Sequence, residues 1–107
     1  MVLRNFILKQ EGMFVVNDIL SRKLIPSSDA VESAVGDETI ILHLVNGTYY
    51  GLDPVGTRIW SLLKDGIGMP DICRRLAEEY EIDLATIEAD ARKFLGDLEA
   101  QGILVDG

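Results

Sequence analysis

Between Glu38 and Trp60 the spacing of apolar residues changes from a period of two to a helical period, and the change falls at Asp53-Pro54. Before it, residues 38–44 alternate, with Ile40, Leu42 and Leu44 on one face and Ile41 and His43 on the other. Asn46-Gly47 then carries a hairpin signal, because both residues tolerate the positive φ of a type I′ turn. Residues 48–52 read as a short aromatic strand with Tyr50 and Leu52 on one face and Tyr49 on the other. After it, aspartate suits a helix N-cap, where its carboxylate accepts unpaired N–H groups. Proline suits the first helical position, where its missing N–H costs nothing.

The remaining signals extend this pattern in both directions. Upstream, Ala30–Val35 alternates loosely, with Val31 and Val35 on one face, and Gly36-Asp37 turns the chain. Downstream, Val55, Ile59, Trp60, Leu62 and Leu63 form the apolar face of a first helix that ends at Asp65-Gly66. A second helix is expected from about Pro70, with Ile72, Cys73, Leu76, Ala77 and Tyr80 as its stripe. Asp83 is the expected N-cap of a third, in which Ile87, Ala91, Phe94, Leu95 and Leu98 recur at helical spacing. Gly102 is its C-terminal glycine, and Ile103-Leu104 follow as a packed tail. Strands in one run and helices in the next predict an α+β domain, a three-stranded antiparallel sheet packed on three helices.

The 107 residues suit one domain. Pro26-Ser27-Ser28-Asp29 divides an N-terminal arm of uncertain structure, residues 1–25, from a better-patterned body, residues 26–107. Two apolar stretches around Glu11-Gly12 leave a hairpin and a partly disordered arm as alternatives. The formal charge of −8 is unevenly spread: four cations and two acids in residues 1–24 give +2, leaving −10 on the rest. A body so negative repels phosphate backbones, so nucleic acid is not an expected partner. Cys73 stands alone, which rules out an internal disulfide. No run approaches the roughly 18 apolar residues of a membrane span, and the apolar stretches of the arm are too short for a signal peptide. No membrane partner and a cytoplasmic location are the expectations.

The segment Gly36-Asp37-Glu38 … Gly47-Thr48-Tyr49-Tyr50-Gly51-Leu52-Asp53-Pro54-Val55-Gly56-Thr57-Arg58-Ile59-Trp60 resembles the PqqD family. Ile72 … Leu76 … Tyr80 … Ile82 and Phe94-Leu95 … Leu98 … Gly102-Ile103-Leu104 match the rest, so the resemblance covers about residues 26–104. It implies a winged helix-turn-helix-like fold that recognises ribosomally made, post-translationally modified peptides. The leader segment of the precursor adds as an extra strand beside the third β-strand, with side chains in a groove against the third helix. The implied partners are that peptide and a modifying enzyme, such as a radical SAM enzyme, or a leader peptidase. Pyrroloquinoline quinone synthesis and lasso-peptide-type pathways both fit. A monomer or a weak or domain-swapped dimer is expected.

The residues agree with this mode independently. A third strand with no lysine and no proline to blunt its edge is open to strand addition. The peptide-binding candidates are Thr48, Tyr49, Tyr50, Gly51 and Leu52 on that strand and Ile87, Asp90, Ala91 and Phe94 on the third helix. Trp60, Tyr50 and Leu52 are expected in the core, which leaves Tyr49 as the side chain free for contact. Asp90 and Asp97 stand either as solvated helix face or as readers of a basic or amide group. Gly51 and Gly56 are expected where backbones approach closely.

No enzyme site emerges. His43 is the lone histidine, without the clustered ligands a metal needs, and is read as structural or exposed. Cys73 lies in an apolar stripe and is read as a buried, inert thiol. No nucleophile elbow or glycine-rich phosphate loop is present, so no catalytic residue and no cofactor is expected. The rival function is a winged-helix DNA-binding regulator. It would need a basic recognition helix, whereas Arg74-Arg75 sit among Asp71, Glu78 and Glu79. A tethering subunit that reads no peptide is the third possibility.

Overall fold

Ala30–Val35 (β2), Glu38–His43 (β3) and Tyr49–Leu52 (β4) form an antiparallel meander in the order β2-β3-β4, and the helices follow. These are α1 (Pro54–Lys64), α2 (Met69–Tyr80) and α3 (Leu84–Ala100). The computed structural model describes residues 18–107. It adds a 3-10 turn at Ile19–Ser21 and two short strands, β1 (Leu24–Pro26) and β5 (Leu104–Asp106), which pair antiparallel. The architecture is the expected α+β arrangement of winged helix-turn-helix type.

Register shows which face of β3 goes inside. Ile41 stands opposite Glu32 and Tyr50, and Thr39 opposite Ala34 and Leu52. This face turns toward the helices: Thr39, Ile41, His43 and Leu52 are buried. Ile40, Leu42 and Leu44 lie on the other face, with Val31, Val35 and Tyr49. The hairpin between β2 and β3 closes over Gly36-Asp37, with Gly36 at φ 64°.

The Asn46-Gly47 turn differs from expectation. Gly47 has φ 71°, but Asn46 is not at positive φ, so the turn is not type I′. The loop instead spans residues 44–47: His43 N–H donates to Thr48 O at 2.9 Å and Gly47 N–H to His43 O at 2.8 Å. The imidazole of His43 is the reason. Its Nδ1 accepts from Val45 N–H at 3.2 Å and lies 3.4 Å from Asn46 N, holding the longer loop, while Asn46 Oδ1 accepts from Thr48 N–H at 3.0 Å. His43 is thus structural.

The α1 start is as expected. Asp53 Oδ1 accepts from Gly56 N–H at 2.7 Å and Pro54 opens the helix. At α3, Asp83 occupies the cap position but its side chain makes no capping hydrogen bond. Gly102 ends α3 at φ 74°, and Ile103 N–H returns to Leu98 O at 2.9 Å.

The core joins Ile59, Trp60, Leu62 and Leu63 of α1, Ile72, Cys73 and Leu76 of α2, and Ile87, Ala91, Leu95 and Leu98 of α3. Trp60 is 2% exposed, and its indole N–H donates to Glu32 Oε1 at 3.0 Å. Burial pushes the Cys73 thiol pKa up, the state of an inert cysteine. Leu20 and Leu24 also belong to this core, and Arg22 pairs with Glu99 and Asp106. The expected division at residues 25 and 26 therefore falls inside β1. The hairpin or disorder expected for the start of the arm lies outside the described residues. Among the described residues, no helix is long and apolar enough to cross a membrane.

Candidate functional site

Among the described residues β4 is a free edge of the three-stranded sheet, and the hydrogen bonds of the meander say which backbone groups it offers. Pairs in an antiparallel ladder alternate between hydrogen-bonded and non-bonded. His43 and Thr48 are a bonded pair, so Tyr50 and Leu52 also turn their backbone toward β3, opposite Ile41 and Thr39. Tyr49 and Gly51 therefore aim their N–H and C=O groups outward, away from the sheet.

Beside this edge lies a cavity of about 460 Å³. One wall is α3, with Ile87, Asp90, Ala91, Phe94 and Asp97. Asp53, Val55, Gly56 and Ile59 come from the start of α1, and Leu76, Tyr80 and Ile82 from the end of α2 and the turn after it. The α1 and α3 walls nearly touch at one point. A Cβ on Gly56 would come within 3.0 Å of Phe94 Cε1, so the absence of a side chain there sets the depth of the groove. Ile82 reaches the cavity because Glu81 adopts a left-handed φ of 53°. That residue ends α2 and lets Ile82 N–H return to Ala77 O at 3.0 Å.

The floor is apolar and the rim charged. Asp53 uses one carboxylate oxygen in the helix cap, and Lys93 pairs with Asp97 at 3.2 Å. Tyr50 is half-buried on the inner face of β4. Its hydroxyl pKa is raised, first by burial and then by the charge of Asp97, with Lys93 opposing. It stays a protonated donor at neutral pH, with Asp97 and Lys93 of α3 near enough to act on it by charge.

The expected residues divide accordingly. Ile87, Asp90, Ala91 and Phe94 come together in the cavity. Thr48, Tyr49, Tyr50, Gly51 and Leu52 do not line it; they form the adjoining edge, joined to it through Asp53. Tyr49 is 71% exposed on the outer sheet face, so its link to the groove edge is through the backbone. Leu52 is core. Gly56 sits at a close approach as expected, but Gly51 has open space around it. Sequence reasoning missed Val55, Tyr80 and Ile82 as cavity residues. Tyr80 belongs to the groove rim at 42% exposed rather than to the buried stripe of α2. The available signal was an apolar residue at each side of a helix end.

A second cavity of about 430 Å³ is bounded by the 3-10 turn, β1 and the α1–α2 connection, with no residue of the three-stranded sheet. Among the described residues, no group of three or more His, Cys, Asp and Glu is arranged to hold a metal ion.

Residues 38–104, which contain β3, β4 and all three helices, match the family model described as Coenzyme PQQ synthesis protein D (PqqD). The chain belongs to the PqqD family. A solved structure titled "TbiB1 in Complex with the TbiA(beta) Leader Peptide" is 42% identical with TM-score 0.72, covering 75% of this chain and 93% of that one. Another, "Lasso peptide synthetase B1 complexed with the leader peptide", shares the fold at 20% identity. Its TM-score is 0.73, and the match covers 78% of this chain and 98% of that one. No match was found among curated proteins.

Proposed function

We propose that this PqqD-family chain is a non-catalytic recognition domain. It binds the leader segment of a ribosomally made precursor peptide and holds it for a modifying enzyme or a leader peptidase. The leader adds as a strand along β4, pairing with the outward backbone of Tyr49 and Gly51. Its side chains enter the groove beside Ile87, Asp90, Ala91 and Phe94. The observation that carries this reading is the free β4 edge beside an apolar groove, in a chain 42% identical to one solved with a leader peptide. Main-chain pairing supplies affinity that tolerates side-chain variation, and the groove supplies selection.

The test is calorimetric titration with leader peptides encoded beside this chain, followed by mass spectrometry of the peptide. Binding in the nanomolar to micromolar range, about −8 to −12 kcal/mol, is expected, with the peptide's mass unchanged. No heat with any of them would overturn the reading. Duplex DNA should not bind at physiological salt. The body carries −10, and Arg74 of α2 is already paired with Asp71.

A further inference from the structure

The outer face of the three-stranded sheet is apolar and exposed. Val31, Val35, Ile40, Leu44 and Tyr49 share it, each between 40% and 71% exposed. An antiparallel sheet with one face on the core normally alternates to polar residues on the other. A contiguous apolar patch on a soluble domain marks an interaction surface.

The charges around the patch have one sign. Residues 24–57 contain no lysine or arginine. Asp37 and Glu38 stand exposed at the hairpin tip of the patch. Asp29 stands at the other end, where its carbonyl accepts from Leu44 N–H at 2.8 Å. Carboxylates thus frame the apolar stripe at both ends. A second copy would bring acid against acid on a chain of −8, and nucleic acid or an anionic membrane would be repelled. Such a rim complements a protein surface whose apolar centre is ringed by lysine and arginine. Tyr49 ties the patch to the peptide site, since its side chain lies on the outer face while its backbone faces the β4 edge.

We propose that this outer face docks the enzyme that acts on the bound peptide, through an apolar patch rimmed with basic residues on that enzyme. A partner seated there lies beside the strand that carries the peptide, which brings its active site within reach of the tethered segment. The proposal rests on the leader-binding reading, and its test separates the two.

The probe is the purified peptidase or modifying enzyme encoded beside this chain, titrated against the full chain. The Val35→Thr/Ile40→Thr/Leu44→Thr variant keeps β-compatible side chains and should bind the enzyme about tenfold more weakly or worse. Its leader affinity and melting temperature should match wild type. Asp37→Lys/Glu38→Lys should also weaken the enzyme complex, and the wild-type complex should weaken as salt rises. Wild-type enzyme affinity in the triple variant overturns the proposal while leaving leader binding intact. A wild-type dimer that the triple variant abolishes assigns the face to a second copy and overturns it too. So does a benzoylphenylalanine at position 35 that cross-links into residues 1–17 of its own chain.

Discussion

The two edges of the three-stranded sheet offer similar backbone and sit in different surroundings. On β2, the bond from Leu44 N–H to Asp29 O fixes the alternation, so Ala30, Glu32 and Ala34 face outward. On β4, Tyr49 and Gly51 do. Among the described residues β2 turns more backbone groups outward than β4, although Ala30 N–H already donates to Ser27 O at 3.1 Å. Yet Glu32 reaches inward from β2, accepting from Trp60 Nε1 at 3.0 Å and pairing with Lys64 at 2.7 Å, which fastens that edge onto α1. The β4 edge opens beside a groove walled by α3. An open edge supplies generic affinity, and only an edge with a groove beside it can also select.

The largest effect should come from removing the residue that braces the β2 side. Trp60→Ala deletes a fully buried aromatic and leaves the Glu32 carboxylate without its indole partner. A loss of about 3–5 kcal/mol is expected, read as a strongly lowered melting temperature. If Trp60→Ala keeps its melting temperature but loses the leader peptide, the tryptophan is a contact residue and the contrast between the edges fails.

Next come prolines placed where only an added strand would notice them. An edge strand tolerates proline when its N–H faces solvent. Gly51→Pro removes an outward N–H that β3 does not use, so leader affinity should fall by about tenfold or more. Ala34→Pro makes the same change on β2 and should leave leader affinity unaltered. Equal losses at both positions would mean that the peptide does not choose between the edges. A less invasive measurement is amide hydrogen exchange with bound leader. Tyr49 and Gly51 should gain protection, while Ala30, Glu32 and Ala34 should not.

The contrast between the edges was only half visible in the sequence. Short-range chemistry was legible: Asp53-Pro54 announced the cap that the Asp53–Gly56 hydrogen bond makes, and helical spacing put Ile87, Ala91 and Phe94 on one face of α3, while the groove beside that face was implied by the family resemblance. The inward face of β3 was not legible, because Ile40, Leu42 and Leu44 on the outer face are more apolar than Thr39, Ile41 and His43, which are the residues buried. Alternation separates the two faces without saying which one meets the helices. Pairing of β1 with β5 joins Leu24 to Asp106, a contact no local pattern announces. The second wall of the groove was hidden for another reason. Val55, Tyr80 and Ile82 sit half-exposed at helix ends, where periodicity is weakest. The turn at Asn46 was misread because His43, read as structural or exposed, uses its ring to hold the loop backbone, a role that no local pattern announces.

The smallest expected effect is the pH dependence of the β2 brace. Burial acts to raise the Glu32 pKa, but the hydrogen bonds from Lys64 and Trp60 outweigh it and hold the carboxyl below its ordinary value. A folded-state pKa below the unfolded one means that the folded chain binds fewer protons in the acid range. The resulting stability is present above the ordinary carboxylate value of about 4.3 and is lost as pH falls through the folded value. Water reaches both ends of the Lys64 pair, which are about 40% exposed, so its share is about 1 kcal/mol or less. Glu32→Gln keeps an acceptor for the indole and removes the charge. It should melt slightly below wild type at pH 7 and converge with it near pH 3, where the wild-type carboxyl is itself becoming neutral. Asp18, held below its ordinary value by Arg92, titrates in the same range in both proteins and cancels from the difference. A gap that stays constant from pH 7 to pH 3 would show that the charge of Glu32 does not hold the β2 edge. The difference between the edges would then have to come from the groove alone.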